Sequence, residues 1–156
     1  SALENHLLLY FTGITRSAGS VLSDQKSKIA DNLETYKKMS DSVPVFKNKI
    51  MNGDLQGMAE MLHEGWLRKK TLSSQVSNSI IDTLYETGIK AGAWGGKILG
   101  AGGGGCLMFL ADPKNQQEVI TVLENKAAEM GLNEIRRIPV RFTQSGADIL
   151  FNSSFI

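Results

Sequence analysis

Between positions 100 and 105 the chain reads Gly-Ala-Gly-Gly-Gly-Gly, five glycines in six consecutive residues. A tight hairpin needs only one or two residues with positive φ. Each surplus glycine costs roughly 0.5–1 kcal/mol of ordering entropy relative to alanine. Three of them cost about 2–3 kcal/mol, a noticeable part of a typical stability of about 5–15 kcal/mol. Backbone without side chains is therefore required at this place. The usual reason is close approach by a ligand or another backbone, often with successive N–H groups turned towards an anion. Nine of the sixteen glycines fall between Gly88 and Gly105, so the requirement is local.

The flanking segments say what the loop joins. Trp94–Leu99 and Cys106–Leu110 read as strands on either side of it. Leu7–Phe11 is short and apolar and ends at Thr12-Gly13, which predicts a buried strand followed by a turn. From about Thr15 to Met39, Ala18, Leu22, Ile29, Leu33 and Tyr36 recur at helical spacing, predicting one long amphipathic helix. Asp41-Ser42-Val43-Pro44 reads as a stop followed by a start, and a short helix then runs to Asn52-Gly53. Asp54 caps the next helix, whose stripe is Leu55, Met58, Leu62 and Trp66, as far as Leu72. Ser77 or Asn78 caps another, carrying Ile81, Leu84 and Tyr85 and ending near Gly88. Asp112-Pro113 opens a helix through about Met130, with Gly131 as its stop. Ile138, Val140 and Phe142 alternate with Arg137, Pro139 and Arg141 as in a half-exposed strand. Gln144-Ser145-Gly146 then turns into a last strand, Ala147–Asn152. Tight turns between strands exclude parallel neighbours, so the expected class is α+β: a largely antiparallel sheet with helices packed on one face.

Composition narrows the function classes. The length, 156 residues, suits one domain, and about two-thirds of its unfolded surface can be buried. Lys plus Arg number 17 against 16 Asp plus Glu, so no global field attracts a polyanion, and neither nucleic acid nor a membrane surface is expected as a partner. The single cysteine, Cys106, excludes an internal disulfide, and no Cys/His spacing suggests a metal. The apolar runs are too short to span a bilayer, and no signal peptide opens the chain. A cytoplasmic protein is expected.

Two phosphate-binding motifs fail on context. Gly100–Gly105 satisfies G-x-G-x-x-G, but a dinucleotide fingerprint leads into a helix, and this loop leads into a strand. Gly96-Lys97 has the look of a P-loop, yet Ile98 stands where Ser or Thr is needed and Ala91 replaces the first glycine. The wording Ala91-Gly92-Ala93-Trp94-Gly95-Gly96-Lys97-Ile98-Leu99-Gly100-Ala101-Gly102-Gly103-Gly104-Gly105 instead resembles the third motif of the GHMP sugar kinases, nearest to their heptose-phosphate kinase branch. Thr12-Gly13-Ile14-Thr15-Arg16-Ser17 after the first strand is similar to the entry of the same domain. The resemblance runs from about residue 5 to 152.

The resemblance implies a ferredoxin-like C-terminal domain, 1–156, of a two-domain enzyme that uses ATP and Mg2+. The N-terminal domain, which would hold most of the nucleotide, the metal and the usual catalytic Asp, has no counterpart here. The chain alone is therefore expected to be inactive, with no catalytic residue and no metal ligand of its own. Its partners would be a sugar phosphate, ATP and the N-terminal domain, and an uncovered interdomain face would favour self-association of the fragment. By the same resemblance, Gly100, Ala101, Gly102, Gly103, Gly104 and Gly105 line the active-site cleft, unless they serve interdomain packing alone. Lys97 either places an ammonium near phosphate or is a solvated strand-end lysine. Arg16, disfavoured by the dipole at a helix start, is a candidate phosphate contact; Thr12 contacts ligand or holds the turn. Arg136, Arg137 and Arg141 read as a solvated basic face or, alternatively, as a sugar-phosphate contact; His6 and His63 read as isolated, and Cys106 as core rather than nucleophile. The implied reaction is phosphorylation of the anomeric hydroxyl of a heptose 7-phosphate. The alternatives are a fucokinase-like GHMP kinase and a non-catalytic α+β binding module.

Overall fold

A computed structural model describes residues 2–143 and Gly146. A short helix, α1 (Ala2–His6), leads into strand β1 (Leu7–Phe11), where Leu8 and Tyr10 are buried and their neighbours half-buried. Helices α2 (Ala18–Ser27), α3 (Leu33–Met51), α4 (Leu55–Thr71) and α5 (Ser79–Lys90) follow. Strands β2 (Ala93–Ile98) and β3 (Cys106–Ala111) flank the glycine loop, and α6 (Gln116–Glu129) and the short β4 (Arg136–Arg137) complete the order. The sheet order is β2-β3-β1-β4 and every pairing is antiparallel, with Phe11 opposite Cys106 and Ile98 opposite Leu107. The class is α+β, as the sequence predicts, but helices pack on both faces of the sheet and not on one, because both faces of β3 carry apolar side chains.

Alternation along the strands sorts the core into two clusters. Leu8, Tyr10, Ile98, Leu107 and Phe109 meet Ile81, Leu84, Val119 and Leu123 from α5 and α6. Leu110, one residue on from Phe109 and so on the opposite face, meets Met58 and Ala59 of α4, which adds cover there along β2. Two glycines permit these approaches. A Cβ at Gly95 would run into the Ala59 carbonyl, and one at Gly88 into the buried Phe109 ring. Gly88 is therefore inside α5 as a contact point and is not its stop; the turn comes at Gly92, where φ is +106°.

The expected long helix over 15–39 is two helices. The Asn32 amide donates to the Lys28 carbonyl, and a 3-10 turn at Ala30–Asn32 separates α2 from α3. Asp24 receives bonds from Lys28 and from Ser73, fixing α2 to the α4–α5 connection. Only Val21 of α2 is buried, and Leu22 (53% exposed) and Leu33 (62% exposed) lie on the surface, so the predicted stripe does not face the core. Pro44 does not restart a helix: α3 continues through it, forgoing the one N–H that proline lacks. Asp112 starts a turn, its side chain accepting from the Lys114 N–H and its carbonyl from the Asn115 N–H, and α6 begins only at Gln116. The expected strand through Phe142 is regular only at Arg136–Arg137. Ile138 N–H still bonds to Leu9, but Pro139 has no donor, and the Phe142 N–H goes to Glu4. The predicted turn at Gln144 and Ser145 and the strand Ala147–Asn152 lie outside the described residues.

The close approach at β2 makes opposite predictions for two glycines of one helix–strand pair. Gly95→Ala forces α4 away from β2 and should cost about 3 kcal/mol. Gly65, inside α4, has no heavy atom within 4 Å of an added Cβ. Gly65→Ala should therefore stabilise by about 0.5–1 kcal/mol through helix propensity. Urea unfolding of both variants checks the pair; a neutral Gly95→Ala would contradict the packing described.

Candidate functional site

The loop between β2 and β3, residues 99–105, is held from two sides. On one side Thr12 donates twice to the Gly105 carbonyl, through its N–H and its hydroxyl, both at 2.9 Å. The Gly105 N–H returns a bond of 2.8 Å to the Ile14 carbonyl. On the other side the Gly103 N–H donates to the Val76 carbonyl, and the Asn78 side-chain amide donates to the Gly103 carbonyl at 3.1 Å. Asn78 is also the N-cap of α5, accepting from the Ile81 N–H, so the helix and the loop share one anchor. Lys69 in the last turn of α4 donates to the Gly100 carbonyl.

This seating explains the glycine excess. A Cβ at Gly102 would meet the Val76 carbonyl, at Gly103 the Gln75 carbonyl and the Arg16 side chain, and at Gly104 the Ile14 carbonyl. The side chains are excluded by the chain's own backbone, with the loop packed between two segments. Gly100 and Gly105 have open space around them and take φ of +72° and +86°, the left-handed region that favours glycine.

Thr12 is 1% exposed and its hydroxyl is spent on Gly105 and the Ile14 N–H, so it holds the loop. Gly103 and Gly105 spend their N–H groups internally. The N–H groups of Gly100, Ala101, Gly102 and Gly104 have no acceptor among the described residues. A cavity of about 250 Å³ opens here, lined by Ile14, Thr15, Arg16, Ala18 and loop residues including Gly102 and Gly104. The Arg16 guanidinium lies against Gly103, with Nε buried and unpartnered among the described residues. Ala18 is the first residue of α2, whose N-cap Ser17 makes no side-chain capping bond and whose first turn has no acid. The positive end of that helix is thus left uncompensated beside the cavity.

The surrounding charge has one sign. Lys97 on β2 and Lys69 on α4 join Arg16 around the loop, and none of the three forms an ion pair among the described residues. Burial, then Lys97, then Arg16 hold the Lys69 ammonium below its ordinary pKa. Its neighbours in sequence differ: Arg68 pairs with Glu64, and Lys70 with Asp82. The sequence reading missed Lys69, because a basic triplet at a helix end is what the dipole favours anyway. No group of three metal-ligating side chains occurs among the described residues. With cations and N–H donors and no carboxylate, the donor set around the loop fits phosphate oxygens and does not fit Mg2+.

The remaining candidates lie elsewhere. His63 Nδ1 is 2.7 Å from the Tyr85 hydroxyl, which donates its proton to the Gly96 carbonyl, so the pair is a packing contact. Burial raises the Tyr85 pKa and keeps that hydroxyl protonated. Arg136 lies over the Phe11 ring and Arg141 pairs with Glu4, and neither lines the loop cavity. Cys106 is a free, half-buried thiol on β3.

Comparison with known proteins agrees with this geometry. Residues 46–129 match the family model described as GHMP kinases C terminal. The chain is 34% identical over 128 residues to the D-glycero-alpha-D-manno-heptose 7-phosphate kinase of Campylobacter jejuni, covering 81% of this chain and 38% of that protein. It is 31% identical over 132 residues to the bifunctional fucokinase/GDP-fucose pyrophosphorylase of Arabidopsis thaliana, covering 81% of this chain and 12% of that one. Among solved structures, L. major mevalonate kinase in complex with R-mevalonate superposes with a TM-score of 0.71 at 24% identity, over 84% of this chain and 40% of that one. The chain thus spans well under half the length of the relatives it matches. It belongs to the GHMP kinase family, as that family's C-terminal domain.

Proposed function

We propose that this chain is the substrate-side half of an ATP-dependent sugar-phosphate kinase that phosphorylates the anomeric hydroxyl of a heptose 7-phosphate. The observation that carries the reading is the convergence of unspent backbone N–H groups, the open end of α2 and three unpaired cations on one loop. Phosphoryl transfer depends on positioning and on neutralising the charge of the transferred group. ATP with Mg2+ supplies that group when bound. The acceptor hydroxyl oxygen forms the new P–O bond as the bond to the ADP oxygen breaks. In this reading Arg16 and the N–H groups of Gly102 and Gly104 hold and orient phosphate oxygens, and the clamp through Thr12 and Asn78 keeps them in place. The metal, most of the nucleotide and the group that takes the hydroxyl proton belong to an N-terminal domain, and the reaction is cytoplasmic. No helix of the described residues is long and apolar enough to cross a membrane, which accords with that location.

Purified alone, the chain should release no ADP from Mg-ATP in the presence of heptose 7-phosphate. Joined to the segment encoded upstream of Ser1, it should; turnover by the chain alone, or none by the joined protein, overturns the reading. Asn78 gives a finer test. Asn78→Ala removes both cap and loop tether, and should cost about 1 kcal/mol of stability. It should also lower kcat/KM of the joined enzyme about tenfold or more through loop misplacement. Asn78→Asp keeps the cap and loses only the donor to Gly103, so stability should recover while kcat/KM stays low.

A further inference from the structure

A second cavity, about 270 Å³, lies between α3 and α4. Its walls are apolar, including Phe46 and Leu62, and Lys69 and Lys97 both line it. Trp66 lines it too; this side chain is 1% exposed, and its indole Nε1–H is buried with no acceptor among the described residues. Ser42, the other polar side chain of the groove, donates its proton to the Met39 carbonyl. Lys69 uses one of its three N–H bonds on Gly100 and has two left, and Lys97 has no partner among the described residues. A site whose free polar groups are two ammonium ions takes a ligand that only accepts, namely an oxyanion.

We infer that Lys69 and Lys97 bind the phosphate that the acceptor substrate already carries, and so select a sugar phosphate over a free sugar. The identity of the ligand rests on the kinase reading; the anion site itself does not. The domain then has two phosphate positions. The loop and Arg16 take the group being transferred, and the α3–α4 groove takes the one already present. The apolar walls leave the resident phosphate few competing water partners, which strengthens its charge-assisted bonds to the two lysines.

The test uses Lys69→Met and Lys97→Met separately in the joined enzyme, with heptose 7-phosphate and unphosphorylated heptose as acceptors. Each variant should raise KM for the phosphorylated acceptor about tenfold or more, the loss expected for one charge-assisted hydrogen bond. Free heptose carries no phosphate for the lysines to hold, so its loss in kcat/KM should be at least several-fold smaller than that for heptose 7-phosphate in each variant. Equal losses on both acceptors, or no change on either, overturn the inference and leave the kinase reading standing. A rise in KM for ATP alone assigns the groove to a nucleotide phosphate and also overturns it. Calorimetric titration of the 156-residue chain with inorganic phosphate decides the anion site without any turnover. Binding should weaken in both lysine variants, and unchanged binding counts against the site even if the enzyme is active.

Discussion

The conformation of the glycine loop depends on the clamp that joins it to the Thr12–Ile14 turn. Thr12 gives two hydrogen bonds to one carbonyl, and Gly105 gives one back to Ile14, across more than ninety residues of sequence. These bonds join the end of β1 to the start of β3, which already pair in the sheet, so the clamp extends the ladder into the loop. The loop then has no freedom to collapse on its own N–H groups. Its opposite side is fixed by Val76 and Asn78, and what remains unbonded faces neither segment's needs. The entropic cost of five glycines is offset because each has either a backbone pressed against it or a left-handed conformation to adopt.

Net charge describes such a molecule poorly. Seventeen basic and sixteen acidic side chains leave almost no field at a distance. Locally the balance fails. Carboxylates accompany Lys28, Arg68 and Lys70, while Lys69, Lys97 and Arg16 meet around one loop without any. The depressed pKa of Lys69 has burial as its first cause and like charge as its second. The negative charge of a bound anion would offset both and return the ammonium towards its ordinary range.

What the sequence discloses is what local chemistry decides. The three long strands, α4 with its Asp54 cap, α5 with its Asn78 cap and the left-handed glycines at 53 and 131 follow from short-range signals and stand where those signals put them. The failures share a tertiary cause. Leu22, Ile29 and Leu33 have helical spacing but remain on the surface, because periodicity shows a stripe and cannot show whether anything covers it. Gly88 looks like a stop because nothing local announces the Phe109 ring against it. Among the proposed site residues, the loop, Arg16 and Lys97 are legible as candidates through the family motif. Thr12 was legible only as an ambiguity, and its burial decides for the loop. Lys69 reaches Gly100 from 31 residues away, so its spacing carries no signal at all.

The claim that the loop is an anion cradle is tested most directly by amide NMR of the labelled chain titrated with sodium phosphate against a sodium chloride control. A cradle built as described predicts saturable shifts at the Gly102 and Gly104 amides, whose protons have no acceptor. The Gly103 and Gly105 amides, bonded to Val76 and Ile14, should move much less. Shifts at Gly102 and Gly104 no larger than those given by chloride would contradict the cradle and leave the glycines to packing alone.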